Sequence, residues 1–260
     1  MKLALLRETA KPTDQRLIFG ADGAHYAASR PNYPGALFAF IASQCSAHAR
    51  VWDCGCGNGQ AARGLAPYFA AVCATDLSSG QLATVTSQLG IHFAVQSAEA
   101  PAFAPASFDA VCVAQALHWF DLNRFWPAIL HVLRPGGVFA AWGYSWFTVS
   151  PPVDRIIDDQ LKPLLDSCWS PQNRLLWRGY QDITWPFAPI PSPVFAISVS
   201  WTEANLWAYM NSWSAMRRCV AAGGAQALTQ VRAALIDAWG EPGMAHTVTM
   251  PLVMRVGRAG

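Results

Sequence analysis

The chain has 260 residues, 53% hydrophobic and only 13% charged, with a formal net charge of +2. That length holds one large domain with a sizeable core, and a charge content well below the ordinary ~25% excludes a disordered chain. No Lys/Arg cluster of the kind that tracks phosphates is present, so a nucleic-acid partner is not expected. The opening Met1-Lys-Leu-Ala-Leu-Leu6 is too short an apolar run for a signal peptide, and no stretch approaches the ~18 apolar residues that span a membrane. Most of the seven cysteines lie inside apolar runs, as Cys73, Cys112 and Cys219 do, which suits free thiols in a reducing compartment. The expectation is a cytoplasmic protein, a monomer or weak dimer, with no membrane partner. No metal is expected, because no second Cys/His pair accompanies Cys54-Gly-Cys56.

In chain order, Pro34-Gly35 opens a helix with Leu37, Phe40 and Ile41 on one face, leading into a strand at 50–53. Ser78 and Ser79 cap a second helix, with Leu82, Val85 and Leu89 on its buried stripe and Gly90 at its end. Strands follow at 91–96 and 108–115. Asp121 caps another helix whose apolar face carries Leu122, Phe125, Trp126, Ile129, Leu130 and Leu133. Pro135-Gly136-Gly137 then turns the chain into a strand at 138–142. This alternation predicts an α/β fold with a parallel, doubly wound sheet that binds ligands at the carboxyl ends of its strands.

The rhythm breaks after Tyr144. Residues 145–193 are rich in Trp, Pro and Phe, with one helix at 153–165, and read as a cap. A strand at 194–201 is followed by a helix carrying Leu206, Tyr209, Met210 and Trp213. Another carries Leu228, Val231, Leu235 and Trp239, closed by Gly240. The last strand, 247–256, contains Pro251, which implies a bulge or an edge. The expected organisation is one domain over 1–260, with an N-terminal cover (1–45), a cofactor-binding core (46–144), a cap insert (145–193) and a C-terminal completion of the sheet (194–260).

The most informative stretch is Val51-Trp-Asp-Cys-Gly-Cys-Gly-Asn-Gly-Gln60. Alternating glycines at 55, 57 and 59 let the backbone turn tightly and let a ligand lie against bare main chain. Gly55 and Asp76 are 21 positions apart, the separation at which an acidic residue meets a ribose edge in a nucleotide-binding βαβ unit. A dinucleotide fingerprint needs Gly at position 60, where Gln stands, and Asp53 would repel a pyrophosphate. A ligand with an ammonium group, a sulfonium and no phosphate fits better. S-adenosylmethionine is that ligand.

These residues resemble the class I S-adenosylmethionine-dependent methyltransferases, and most closely the branch of trans-aconitate methyltransferases and similar small-molecule enzymes. The likeness rests on Arg30-Pro-Asn-Tyr-Pro34, the Asp53–Gly59 loop, Asp76-Leu-Ser and Ser97-Ala-Glu99. It extends to Gln115-Ala-Leu-His-Trp-Phe-Asp121, Leu133-Arg-Pro-Gly-Gly137 and the tail around Ser212-Trp-Ser214 and Met250-Pro-Leu. The resemblance implies a Rossmann-like, seven-stranded, mostly parallel sheet with an antiparallel last strand and a cap between strands five and six. It also implies roles. Asp53, Gly55, Cys56 and Gly57 wrap the methionine part of the cofactor, Asp76 takes the ribose hydroxyls, and Leu77 packs on the adenine. Ser97 and Ala98 stand where the adenine amine is read, although many relatives have Asp at position 97. Gln115 lies beside the methionine backbone, and Tyr26 and Arg30 come from the cover, Arg30 as a partner for the cofactor carboxylate.

For the chemistry, methyl transfer is an in-line displacement that positioning alone can drive far. An ionised carboxylate acceptor needs no base, whereas a hydroxyl or ring nitrogen more often does. His118 is the expected base in that case, and otherwise a wall residue that holds Trp119. His118, Trp119, Trp142, Tyr144 and Trp146 form the expected substrate wall, a surface for planar or apolar acceptors and for the sulfonium cation. Arg217 and Arg218 are either receivers of an acidic substrate or surface residues. O-methylation of a small carboxylate is the leading expectation from the resemblance. N- or C-methylation of a heterocyclic or aromatic metabolite and a non-catalytic cofactor-binding protein are the alternatives.

Overall fold

A computed structural model describes residues 30–260. Five parallel strands form its centre: β1 (Arg50–Cys54), β2 (Ala71–Asp76), β3 (Ile91–Val95), β4 (Phe108–Ala114) and β5 (Leu133–Tyr144). They lie in the spatial order β3-β2-β1-β4-β5. The chain therefore builds outward from β1 on one side and then crosses to the other, which creates a crevice at the carboxyl ends of β1 and β4. Consecutive side chains in these strands enter opposite cores. Val51, Ala110 and Val138 pack on one face, and Trp52, Val111 and Phe139 on the other, as the two-residue period of a strand requires.

The sheet is completed by β6 (Ala188–Ile190), β7 (Phe195–Trp201) and β8 (His246–Arg258). β8 runs antiparallel between β5 and the other two, which share its far edge. The expected seven strands are present, and β6 is an eighth. Its three residues include Pro189, which only an edge accepts, and a strand that short carries no periodicity. Pro251 sits at a local edge of β8: it pairs with Ala196 in an unbroken register with β7, while on its other side the β5 ladder ends at Leu252. Thr249 exchanges amide hydrogen bonds with Thr148, so the nitrogen of Pro251, two residues on, points the same way. It faces the gap between Thr148 and Tyr144, where the β5 ladder is open and no N–H is needed.

Helix α1 (Gly35–Ser43) leads into β1, and α2 (Gln60–Leu65), α3 (Ser79–Leu82) and α4 (Leu122–Val132) connect parallel strands. Ser78 Oγ accepts from Gln81 N at 3.3 Å and Asp121 Oδ1 from Asn123 N at 3.2 Å, so both expected caps are formed. The helix after Ser78 stops at Leu82, and Leu89 is 99% exposed. The β-branched run Thr84-Val85-Thr86 is a poor helix former, and Thr84 turns its hydroxyl back to the Gln81 carbonyl at 2.8 Å. Leu133 opens β5 instead of closing α4.

The cap carries α5 (Pro151–Ile156), a wide π turn at Ile157–Leu161, α6 (Lys162–Leu165) and α7 (Asn173–Trp177). Pro163 has no N–H for the carbonyl four residues back and its ring would meet it, and the wide turn relieves that clash. The cap packs against α8 (Glu203–Asn211), α9 (Ser214–Ala221) and α10 (Ala225–Trp239), and aromatic contacts join it to Tyr209 and Trp213. Trp146, Trp169 and Trp213 form a triangle with ring centres 5.4 to 6.1 Å apart. Arg218 joins this clamp. Its guanidinium donates to the Cys168 carbonyl and to Ser170 Oγ and Ser214 Oγ, which commits it to structure.

Candidate active site

A cleft open to solvent lies at the carboxyl ends of the central strands. Its floor is the loop between β1 and α2, where Gly55 and Gly57 both adopt left-handed backbone, with φ of +72° and +54°. The two glycines answer different needs. A Cβ on Gly55 would fall 2.8 Å from Ala116 Cβ and 3.1 Å from the Phe120 ring, so packing excludes it. A Cβ on Gly57 would meet only Gln81 Oε1 at 3.8 Å, because the space above it is the cleft itself. Gly57 is thus the point where main chain is bare to a ligand.

Asp76, at the end of β2, lines the cleft and ties its walls together. Its Oδ2 accepts from Gly57 N and its Oδ1 from Ser78 N, both at 2.8 Å. Each oxygen keeps a further acceptor direction for a ribose hydroxyl. Burial raises its pKa, and the amides of Ser78, Gly57 and Leu77 act against that rise.

Asp53 is placed differently from the expectation: it is fully buried beneath the loop and does not reach the cleft surface. Neither carboxylate oxygen has a hydrogen-bond partner, although the amide of Ala62 helps to support the charge. Burial pushes its pKa up to about 7, with a further push from Asp76 and a pull downward from Arg63. An unpaired buried carboxylate is costly, and a cation bound above it offsets that cost. The cleft lining includes no Lys, Arg or His among the described residues, so nothing there would neutralise a pyrophosphate. The bare backbone at Gly57, the buried charge of Asp53 and the open acceptor positions of Asp76 together fit S-adenosylmethionine.

At the end of β3, Leu77 and Ala98 line the cleft. Ser97 does not. Its hydroxyl donates to Glu99 Oε2 at 2.7 Å and accepts from Glu99 N at 3.2 Å, and Glu99 takes its place in the wall. Past β4, Gln115 has φ of +57°, an uncommon backbone for this residue type, and lines the cleft. Its N donates to the Trp142 carbonyl at 2.8 Å and its Nε2 to the Tyr144 carbonyl at 2.9 Å, which locks it onto β5.

The opposite end is aromatic, with Tyr33, Trp119 and Tyr144 in the wall. Arg30 adjoins it: its Nη1 donates to Tyr144 Oη at 3.4 Å, and its guanidinium lies 5.3 Å from the Tyr209 ring centre. Tyr26 lies outside the described residues. Three residues expected in the substrate wall sit elsewhere. Trp142 is fully buried on β5, edge-on to Tyr33 and Phe38, because its face of the strand meets α1. Trp146 belongs to the cap clamp. His118 is 5% exposed and does not line the cleft. It sits in a 3₁₀ turn (Leu117–Trp119), with Nδ1 3.3 Å from Tyr180 Oη, and burial pushes its pKa down to about 3.

Other lining residues have no role that their sequence context gives away. Tyr33, Glu99 and Phe120 lie inside the motifs without one. Gln60 counts only against a dinucleotide, and Gln81, buried on a four-residue helix, gives no signal.

Comparison with known proteins agrees with this geometry. Residues 52–141 match the family model described as a methyltransferase domain. A Dictyostelium discoideum protein described as a methyltransferase is 27% identical over 225 residues, 85% of this chain and 86% of its own length. A Saccharomyces cerevisiae protein described as an S-adenosylmethionine-dependent methyltransferase is 33% identical over 132 residues, 47% of this chain and 45% of its own length. A solved structure from Anaeromyxobacter dehalogenans, described as a type II methyltransferase, is 38% identical and superposes with a TM-score of 0.83. That match covers 88% of this chain and 98% of the other. With the cofactor cleft, the sheet order and relatives of this extent in agreement, the chain belongs to the class I S-adenosylmethionine-dependent methyltransferases.

Proposed function

We propose that this methyltransferase acts on a carboxylate oxygen of a small organic acid and forms a methyl ester. The observation that supports this reading is the chemistry of the aromatic end of the cleft. Tyr33, Gln115, Trp119 and Tyr144 line it, Arg30 adjoins it through Tyr144, and no His or Lys is present among the described lining residues. A carboxylate arrives ionised, with an ordinary pKa near ~4, and needs no base. Cys56 cannot act as one, because burial raises its thiol well above the ordinary range. His118 is held behind the wall.

S-adenosylmethionine supplies an electrophilic methyl group on a sulfonium, and the protein supplies position and a dry surface. Holding reactants in line contributes up to about 7–11 kcal/mol of the barrier. Trp119, Tyr33 and Tyr144 offer aromatic faces to a cation, and Arg30 brings positive charge to the side where an acid would dock. The resemblance to the trans-aconitate branch agrees with this reading. The aromatic surfaces also favour a second one, N- or C-methylation of a planar heterocyclic or aromatic metabolite. Incubation with S-adenosylmethionine and a panel of carboxylic and heteroaromatic acids separates the two by mass spectrometry. The ester reading expects a singly methylated product that reverts in mild alkali, and an alkali-stable product favours the second reading instead.

A further inference from the structure

We propose that Cys168 and Cys219 form a site of reversible oxidation, a dithiol that closes to a disulfide and staples the cap to α9. The inference is independent of the acceptor and of the cofactor. Cys168 ends the 3₁₀ turn Asp166–Cys168 of the cap, and Cys219 lies on the buried face of α9. Both are free thiols, 51 positions apart in sequence. Arg218 holds their two segments in register. Its Nε donates to the Cys168 carbonyl at 2.5 Å, and its terminal nitrogens donate to Ser170 Oγ and Ser214 Oγ, each at 3.0 Å. The turn and α9 are packed together, and the two cysteine side chains share a hydrogen bond, so their sulfurs face each other. A disulfide needs that facing arrangement and not closeness alone. Gly224 confines the Cys219 sulfur further, since a Cβ there would collide with Sγ.

The two thiols divide the chemistry. Cys168 is partly exposed and meets a small-molecule disulfide first. The Arg218 guanidinium beside it interacts with charge on the Cys168 sulfur, and a neighbouring cation supports a thiolate as nucleophile. Cys219 is 2% exposed. Burial, and then the neighbouring Cys168, raises its thiol pKa above the ordinary range, so it stays protonated and resolves second. With glutathione disulfide as oxidant, the Cys168 thiolate attacks one sulfur, the glutathione S–S bond breaks and one glutathione leaves as thiolate. Cys219 then gives its proton to water and attacks the Cys168 sulfur, which releases the second glutathione. Two protein thiols are oxidised, and one glutathione disulfide is reduced to two thiols. The new bond adds a covalent link to the contact that Trp169, the next residue, already makes with Trp213 at 5.4 Å.

The test is to incubate the full, folded chain with glutathione disulfide, block the remaining thiols with N-ethylmaleimide and map the unreduced digest by mass spectrometry. The expected product is one cross-linked peptide pair that holds Cys168 and Cys219, lighter by two hydrogens and separated again by dithiothreitol. The bridged chain should melt about 5 °C or more above the reduced one, because the bond closes a long loop of the unfolded chain without straining the fold. Cys219→Ser should stop at the mixed disulfide of Cys168 with glutathione, and Cys168→Ser should form neither species. The wild-type map decides without either variant. Oxidation confined to other cysteines, or a Cys168–Cys219 bridge that appears only in denaturant, would overturn the proposal. So would a bridged chain that melts no higher than the reduced one. Cys56 is the one cysteine in the cleft lining among the described residues. A tenfold or larger loss of S-adenosylhomocysteine affinity on oxidation would therefore place the reactive thiol there and overturn the assignment as well.

Discussion

The amide of Gly57 donates to Asp76 Oδ2 at 2.8 Å across 19 positions of sequence. The glycine loop, proposed to face the cofactor's amino-acid part, and the carboxylate proposed to meet its ribose are therefore one unit. Asp76→Ala should remove both the ribose acceptor and the anchor of the loop. Hydrogen bonds to a charged group contribute about 1.5–3 kcal/mol each, and ~1.4 kcal/mol is tenfold in affinity. S-adenosylmethionine binding should weaken by about tenfold or more, and an unchanged dissociation constant by calorimetry would show that the ribose lies elsewhere.

Gly55 and Gly57 should respond oppositely to alanine. At Gly55 the new methyl group meets Ala116 and Phe120, so Gly55→Ala should lower the melting temperature. At Gly57 the methyl enters open cleft, and the left-handed backbone adds a strain of about 1–2 kcal/mol. Gly57→Ala should therefore lose cofactor affinity out of proportion to stability. Thermal melts and titrations on both variants decide this, and matching behaviour would contradict the division of roles.

The parallel core is readable from sequence because its strands carry apolar runs, and those of β1 and β2 close on Gly55 and Asp76, all local signals. The short strand at Ala188–Ile190 is not, since three residues with a proline have no period. The helix after Ser78 is shorter than its pattern suggests because Leu82, Val85 and Leu89 match helical spacing, while the β-branched residues between them oppose it. Site residues depart from expectation for a different reason. In a 3₁₀ turn consecutive side chains point about 120° apart, so Trp119 faces the cleft while its neighbour His118 faces Tyr180, 62 positions away. Ser97 lies outside the cleft lining with its hydroxyl bonded to Glu99, a direction that spacing does not reveal.

Asp53 provides a test by pH. Its ordinary pKa is 3.8 and its folded value about 7. Between these values the folded chain binds more protons than the unfolded one, so stability falls as pH rises. The loss is complete above pH ~7 and is at most about 4 kcal/mol, at 1.36 kcal/mol per unit. Asp53→Asn has no such titration. Its melting temperature relative to wild type should climb from pH ~4 to ~7 and then level off, and saturating S-adenosylmethionine should shrink the gap. Melting curves that stay parallel across this range would refute the assignment.

Asp109 should matter for stability and not for the cofactor. Its Oδ2 accepts from Ala49 N at 2.7 Å and Arg50 N at 2.8 Å, and its Oδ1 pairs with Arg134. It thereby ties the start of β1 to β4 and to the Arg-Pro-Gly-Gly turn, at the end of the sheet away from the cleft. Asp109→Ala strands three donors and should cost about 3 kcal/mol in denaturant unfolding. Cofactor affinity of the folded variant should stay within about twofold. A loss of affinity larger than the loss of stability would mean that this anchor reaches the site.

His118 separates the two chemistries most sharply. A positioned base contributes about 10²–10⁴ to turnover and works best with a pKa near the operating pH. His118, with its pKa pushed down to about 3 by burial, is neutral throughout the working range, and its Nδ1 lies 3.3 Å from Tyr180 Oη. It is thus placed to position Trp119 through the cap. His118→Gln should leave the shape of the turnover profile between pH ~5 and ~8 unchanged and slow turnover by less than about tenfold. Tyr180→Phe should have a similar effect, and the double variant should be little worse than either single one. Stability supplies a second readout. Between its folded value near 3 and its ordinary 6.5, the unfolded chain binds more protons at this position, so its contribution is lost as pH falls below 6.5. Relative to wild type, His118→Gln should therefore be more stable at pH ~5 than at pH ~8. If turnover instead drops by about a hundredfold or more, with cofactor binding intact and the pH limb abolished, His118 is the base and the acceptor assignment turns toward a hydroxyl or a nitrogen.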